Sequence, residues 1–261
     1  QFEFMNSFDP ESHVQTLLYE KPQPQPDGSL YQIVRHQGFF STKFPLHNYP
    51  FDRQTLKITV EDSQMVAEKM FYRLDTKPLV INPQLQMPGY TLGSPRVEIE
   101  AHSYTTAFGD LSLSEASTYS RAEFLIPVSR PPMAGVMKAF VPVLLIILSA
   151  ALSLLLDPSH VEARVGLAIT ALLTLVALQF TMLSGLPEVT YLTLIDQVYL
   201  LSYLYILAVL GLAVRVSRID QRGVIQSKIL FNPRWDRILS IGATVCYLML
   251  LAGIICFNLG G

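Results

Sequence analysis

The chain has 261 residues, half of them hydrophobic, and a formal net charge of −2 with only 15% charged side chains. That length allows one large domain or two ordinary ones, and a near-neutral balance offers no electrostatic footprint for nucleic acid, which is not expected as a partner. Enzyme chemistry finds no motif either: His13, His36, His47, His102 and His160 are scattered without ligand spacing, and no glycine-rich phosphate loop or nucleophile motif occurs, so neither an enzyme nor a cofactor is expected.

Residues 1–131 hold 26 of the 40 charged side chains and show apolar positions with a period of two. Leu56, Ile58 and Val60 share one face of a strand, and Val97, Ile99 and Ala101 share one face of another. Pro26-Asp27-Gly28, Asn82-Pro83, Pro88-Gly89 and Gly109-Asp110 punctuate the runs as turns. Five or six short strands at this spacing predict an antiparallel β-sandwich. Because such a domain usually has seven or more strands, it is expected to be N-terminally incomplete in this chain.

Residues 132–261 are different. Ala139 to Leu156, Val165 to Pro187 and Ile238 to the end carry no charge, and Val189 to Val214 carries only Asp196. A hydrocarbon core of roughly 30 Å needs about 20 helical residues, so four membrane spans are expected, at about 133–156, 161–184, 190–214 and 236–258. The linker at about 215–235 holds Arg215, Arg218, Arg222, Lys228 and Arg234, whereas the turn between spans two and three has no basic residue. The positive-inside rule then puts this linker in the cytoplasm and both the N-terminal domain and the C-terminus outside. Cys246 and Cys256 lie ten residues apart in the fourth span, about 15 Å on a helix, too far for a disulfide. They are read as membrane-facing.

The second span is unusual for a lipid-facing helix. Thr170, Thr174, Gln179, Thr181 and Ser184 recur through it, and steps of three and four from Glu162 collect Gly166, Thr170, Leu173, Ala177, Phe180, Thr181 and Ser184 on one stripe. Hydroxyls at that depth are expected to face a water-filled path, whereas a fully buried helix would return them to its own carbonyls. Arg164, two residues beyond Glu162, points away from the stripe toward a neighbouring helix or loop.

The segment Phe44 to Ile58 contains Tyr49-Pro50-Phe51-Asp52-Arg53-Gln54 and resembles the signature loop of the Cys-loop receptor superfamily. Its two bracketing cysteines would fall at Thr42 and Leu56. That absence and the short linker between spans three and four are similar to the prokaryotic branch of pentameric ligand-gated channels. Further matches fall in order: the opening strand Phe2 to Asn6, Ser129 to Pro132, Pro142 in the first span, Glu162 to Gly166, and Leu186 to Gln197.

The resemblance implies a homopentamer of this chain and four identical subunits around a central pore, with a small-molecule or ion agonist outside and monovalent cations as permeant ions. It makes the second-span stripe the pore lining, with Leu173 through Phe180 as an apolar gate closing by dewetting, and Glu162 a carboxylate ring at the inner mouth that favours cations. The excess of 15 acidic over 11 basic residues in the N-terminal part has the same sign. Asp52 and Arg130 would couple the signature loop to the first span, with Pro187 stiffening the loop nearby. Glu61, Tyr104, Phe108 and Tyr119 are the candidate ligand residues; metal binding is left open. The implied location is a bacterial inner membrane, multi-pass, with lipid as surroundings. The alternatives are a non-conducting oligomeric receptor, which needs no polar stripe, and a small solute transporter, which needs internal repeats and broken helices.

Overall fold

The computed structural model describes residues 2–9, 11–77, 79–106, 117–157, 160–221 and 233–260, with backbone alone at 216–221, 233–237 and 259–260. The chain divides into two compact units, Gln1–Phe44 with Arg53–Ser129, and Pro45–Asp52 with Arg130–Gly261.

The first unit is sheet-rich. Strands β1 (Phe2–Phe4), β6 (Arg53–Asp62), β7 (Thr91–Leu92), β8 (Arg96–Tyr104) and β9 (Ser117–Ser129) form one five-stranded sheet, with β9 pairing antiparallel to β6 on one side and to β7 and β8 on the other. Two ribbons accompany it, β2 (Val14–Leu17) with β5 (Val34–Gln37) and β3 (Gln23–Pro24) with β4 (Leu30–Tyr31). The described residues thus hold more strands than five or six, because two-residue pieces such as β3, β4 and β7 are too short to show a period.

Register follows the alternation. The rung Val60↔Ala122 and its neighbour Ile99↔Ala122 stack apolar residues on one face, while Glu61↔Arg121↔Glu100 puts charges on the other. Ala101, expected beside Val97 and Ile99, is exposed. The charged face is not a plain solvent face: Thr59, Glu61 and Glu123 are buried, and Glu123 is neutralised by Lys57 Nζ at 2.6 Å. The expected turn at Pro26-Asp27-Gly28 joins β3 to β4; Gly28 takes φ 84°, a region open to glycine, and Asp27 Oδ1 accepts from the Ser29 N–H at 2.9 Å.

The second unit contains four helices long and apolar enough to cross a membrane, Pro132–Ser153, Val161–Leu183, Leu194–Arg215 and Ile238–Asn258. The first is α1 (Pro132–Gly135), a π turn at Val136–Phe140, and α2 (Val141–Ser153). Pro142 explains the interruption: it has no N–H and its ring crowds the carbonyl four residues back, so the preceding turn widens. α3 (Val161–Leu183), α4 (Leu194–Gln221) and α5 (Pro233–Gly260) follow.

The third span begins at Leu194 rather than at 190. Thr193 caps it: its N–H and Oγ1 both donate to Asp196 Oδ2, at 3.0 and 2.6 Å, and the Asp196 N–H donates back to Thr193 Oγ1. The one acid of this span is therefore a helix cap. α4 and α5 also run past the expected ends at 214 and 236, since apolar runs mark the membrane-length part of a helix and not its polar extensions.

α4 is the hub and packs on α2, α3 and α5. Ile195, Val198, Tyr199 and Val209 of α4 are fully buried with Val143 and Ile147 of α2 and Leu175 of α3. Polar ties replace a hydrophobic drive that lipid would not supply: Ser202 Oγ lies 3.0 Å from Tyr247 OH, and Tyr205 OH lies 2.8 Å from Thr244 Oγ1. Cys246 and Cys256 are both exposed on α5.

Candidate pore-lining helix and coupling loop

α3 has two unlike faces. Arg164, Ala168, Ala171 and Leu175, at steps of four, three and four, are buried against the rest of the unit. Glu162, Gly166, Thr170, Leu173, Ala177, Phe180, Thr181 and Ser184, the stripe expected from the sequence, are all exposed, Leu173 at 65% and Phe180 at 76%. The helix therefore buries small and aliphatic residues inward and turns its hydroxyls outward.

One expectation is corrected. The hydroxyls do return to their own helix: Thr170 Oγ1 donates to Gly166 O at 2.8 Å, Thr174 Oγ1 to Thr170 O at 2.8 Å, Thr181 Oγ1 to Ala177 O at 2.9 Å, and Ser184 Oγ to Thr181 O at 3.0 Å. Back-bonding is a local property of Thr and Ser on a helix and does not depend on burial, so it cannot separate a wet face from a dry one. Each oxygen keeps lone pairs that face outward. Gln179 is not on the stripe; its Oε1 accepts from Tyr203 OH of α4 at 2.6 Å.

Arg164, 5% exposed, finds the partner anticipated for it. Its guanidinium donates to Leu154 O at 3.0 Å and, through two nitrogens, to Leu156 O at 3.1 and 2.5 Å. These carbonyls follow the end of α2, where a helix leaves acceptors unmatched. Arg164 thus spends its donors on the preceding loop, while Glu162 in the first turn of α3 remains exposed, where the helix dipole favours an anion.

Pro45–Asp52 belongs to the same unit as the helices. Leu46 and Pro50 are buried, and Tyr49 and Phe51 pack on the helical core, with the Phe51 ring stacked on Phe140 at 5.6 Å and Pro50 against Gly135. The Tyr49–Pro50 bond is cis. Asp52 Oδ1 accepts from Arg130 Nε at 2.8 Å, and the Arg130 guanidinium lies 5.0 Å from the Tyr49 ring centre. The pairing Arg53↔Ser129 ends β6 and β9 on one rung, which is why the next residues, Asp52 and Arg130, come out side by side.

Pro187 is exposed, and the loop between α3 and α4 reaches the motif through other residues. Tyr191 OH accepts from the Leu46 N–H at 2.8 Å, the Tyr191 ring stacks on His47 at 3.8 Å, and the Leu194 N–H donates to His47 O at 2.7 Å. The sequence marked both segments, Phe44 to Ile58 and Leu186 to Gln197, but not that they meet, because the Leu46–Tyr191 bond spans 145 positions.

In the first unit Glu61, Tyr104 and Tyr119 come together; Phe108 lies outside the described residues. Tyr104 OH donates to Glu61 Oε2 at 2.9 Å, and the Tyr104 and Tyr119 rings meet edge to face at 5.9 Å. Sequence reasoning missed Arg121, which pairs with buried Glu61, donates to Tyr104 OH at 3.1 Å and lies 3.9 Å from Glu100. Only the register Glu61↔Arg121↔Glu100 reveals it. Burial pushes the Tyr104 hydroxyl above its ordinary value, and the hydrogen bond to Glu61 and its charge push the same way against Arg121, so the phenol stays a donor. Burial works most strongly against the Arg121 charge, but the hydrogen bond to Glu61 and its charge, together with Tyr104, outweigh it and hold the value up. The guanidinium beside the aromatic rings weakens the case for a cationic amine there. Among the described residues, no group of three or more His, Cys, Asp or Glu is placed to hold a metal ion.

No protein-family profile matches the chain. It is similar to a gamma-aminobutyric acid receptor subunit beta of Lymnaea stagnalis, 26% identical over 186 residues, 70% of this chain and 35% of the relative. A gamma-aminobutyric acid receptor subunit theta of Mus musculus is 25% identical over 204 residues, 77% of this chain and 30% of the relative. The pH-sensitive chloride channel 2 of Drosophila melanogaster is 25% identical over 186 residues, 69% of this chain and 34% of the relative. The chain spans about a third of the length of these relatives. A sheet-rich N-terminal unit followed by four candidate membrane-spanning helices has the topology of Cys-loop receptors, and in sequence the chain is similar to subunits of such receptors.

Proposed function

We propose that this chain is a subunit of a ligand-gated ion channel, assembled as a homopentamer with α3 lining the pore and the sheet-rich unit sensing a small molecule or ion. The observation that carries the reading is the outward face of α3. A helix that meets lipid on its free side has no use for the Glu162 carboxylate there, whereas copies of α3 around a water-filled path solvate it, together with the lone pairs that the back-bonded hydroxyls leave free. The similarity to receptor subunits supports the same class. The signature loop, held by Asp52–Arg130 and His47–Tyr191, supplies the lever between agonist and pore.

Cation selectivity is the finer proposal, and the relatives do not support it, since one of them is named a chloride channel. It rests on this chain's own charges: Glu162 is exposed at the start of α3, and Arg164 is turned inward onto carbonyls. A bacterial inner membrane, with the N-terminal unit and C-terminus outside, rests on Thr42 and Leu56 in place of the loop's cysteines and on the basic linker. Recording from purified protein in a planar bilayer under a salt gradient tests the whole reading. A conductance with a reversal potential toward the cation value supports it, a chloride reversal overturns the selectivity, and an intact oligomer that never conducts favours the receptor alternative.

A further inference from the structure

A second titratable centre lies in the first unit, apart from the Glu61–Arg121 cluster. His13 Nε2 is 3.1 Å from His36 Nδ1, and the rings lie 5.3 Å apart. Phe4 of β1 packs on both, at 4.6 and 4.8 Å, and Phe40 closes on His13 at 6.1 Å. His13 Nδ1 is buried without a hydrogen-bond partner among the described residues and sits against Gly38, where a Cβ would come within 2.7 Å.

These contacts set the proton count. An orphaned buried N–H costs more than an orphaned lone pair, so the neutral pair has His13 Nε2–H donating to His36 Nδ1, with His13 Nδ1 bare. One proton is shared, and a second has no good place. On His36 Nδ1 it replaces the acceptor and opposes two N–H groups; on His13 Nδ1 it makes a buried donor with no acceptor. The facing groups from other elements are apolar, Phe4 and Phe40. Glu3 and Arg35, the strand neighbours of Phe4 and His36, point to the opposite sides, and Asp9 of the preceding turn is engaged with the Glu11 N–H.

We propose that the His13–His36 pair is a proton-operated latch that ties the β2 end of the ribbon to β5 while neutral and loosens the ribbon on acidification. Burial first, and then the His13 charge, lower the His36 value below the ordinary 6.5. A lowered histidine stabilises the closed form fully above that ordinary value, and the stability is lost as pH falls from there through the folded-state value.

Hydrogen–deuterium exchange of the whole protein in detergent, at several pH values from about 7.5 to about 5 and normalised to intrinsic peptide rates, tests this. Exchange in Val14–Leu17 and Val34–Gln37 is expected to rise by up to about tenfold per pH unit below the ordinary histidine value, with the β6–β9 rungs unchanged. His36→Asn keeps an acceptor oxygen near the Nδ1 position and removes the titration, so its ribbon is expected to stay protected at low pH. No rise in the parent, an equal rise in β6 and β9, or the same rise in the variant overturns the latch. Should the variant fail to fold, imidazole NMR of the parent decides: a histidine titrating below the ordinary value supports the pair, and all histidines titrating together at that value overturns it.

Discussion

Leu173→Ser and Leu175→Ser on α3 differ by two positions and face opposite ways. Leu173 is 65% exposed in the single chain and Leu175 fully buried. Replacing Leu173 loses only about a third of a leucine's contacts within the chain, below about 1 kcal/mol, whereas Leu175→Ser loses a full core side chain and buries a hydroxyl, about 3 to 5 kcal/mol. If α3 copies form a closed, dewetted pore at Leu173, each serine exchanges an apolar side chain worth about 1.5 to 3 kcal/mol for one that water solvates, and five copies multiply the effect. Even a fraction of that sum exceeds the few kcal/mol that separate two conformations. Leu173→Ser is therefore expected to keep the parent's thermal stability and to pass current without agonist, and Leu175→Ser to lower stability and yield. The assays are bilayer recording at matched protein amounts and thermal unfolding in detergent. A stable, assembled Leu173→Ser protein as silent as its parent refutes a hydrophobic gate on this face.

Glu162→Gln preserves side-chain volume and removes the exposed charge, so the cation-to-anion permeability ratio should fall without loss of assembly; an unmoved reversal potential removes Glu162 from selectivity. Asp52→Asn still accepts from Arg130 but loses the charge, and because Arg130 is a quarter exposed the cost is about 1 to 3 kcal/mol, read as a shifted activation curve at normal expression. Normal activation would take the pair out of coupling. Arg164→Gln strips charged donors from the Leu154 and Leu156 carbonyls, at about 3 kcal/mol or more, and is expected to cut the yield of assembled protein. Parent-like yield and melting would mean the carbonyls find water instead.

Much of the helical unit was legible because its signals are local. Apolar runs, the 3.6-residue period and a charge-poor turn are read within a few dozen residues, so the four spans, the exposed stripe from Glu162 to Ser184 and the inward turn of Arg164 follow from the chain as written. The strand alternation grouped Val60 with Leu56 and Ile58, and Ile99 with Val97, within each strand by the same logic, though only the register through Ala122 puts Val60 and Ile99 on a common face; the adjacency of Asp52 and Arg130 came with the resemblance of the signature loop. Tertiary structure decided what depends on register and on distant approach. Arg121 joins Glu61 only because β6 and β9 pair as they do, His13 meets His36 only across a ribbon, and Tyr191 lies on His47 only once the loop docks on α4. The start of the third span was decided by Thr193 and Asp196, where a reciprocal cap outweighs hydropathy. A period is carried by neighbouring residues and survives in a single sequence; a pairing depends on which two segments the fold brings within hydrogen-bond reach, and that is settled only when the whole chain packs.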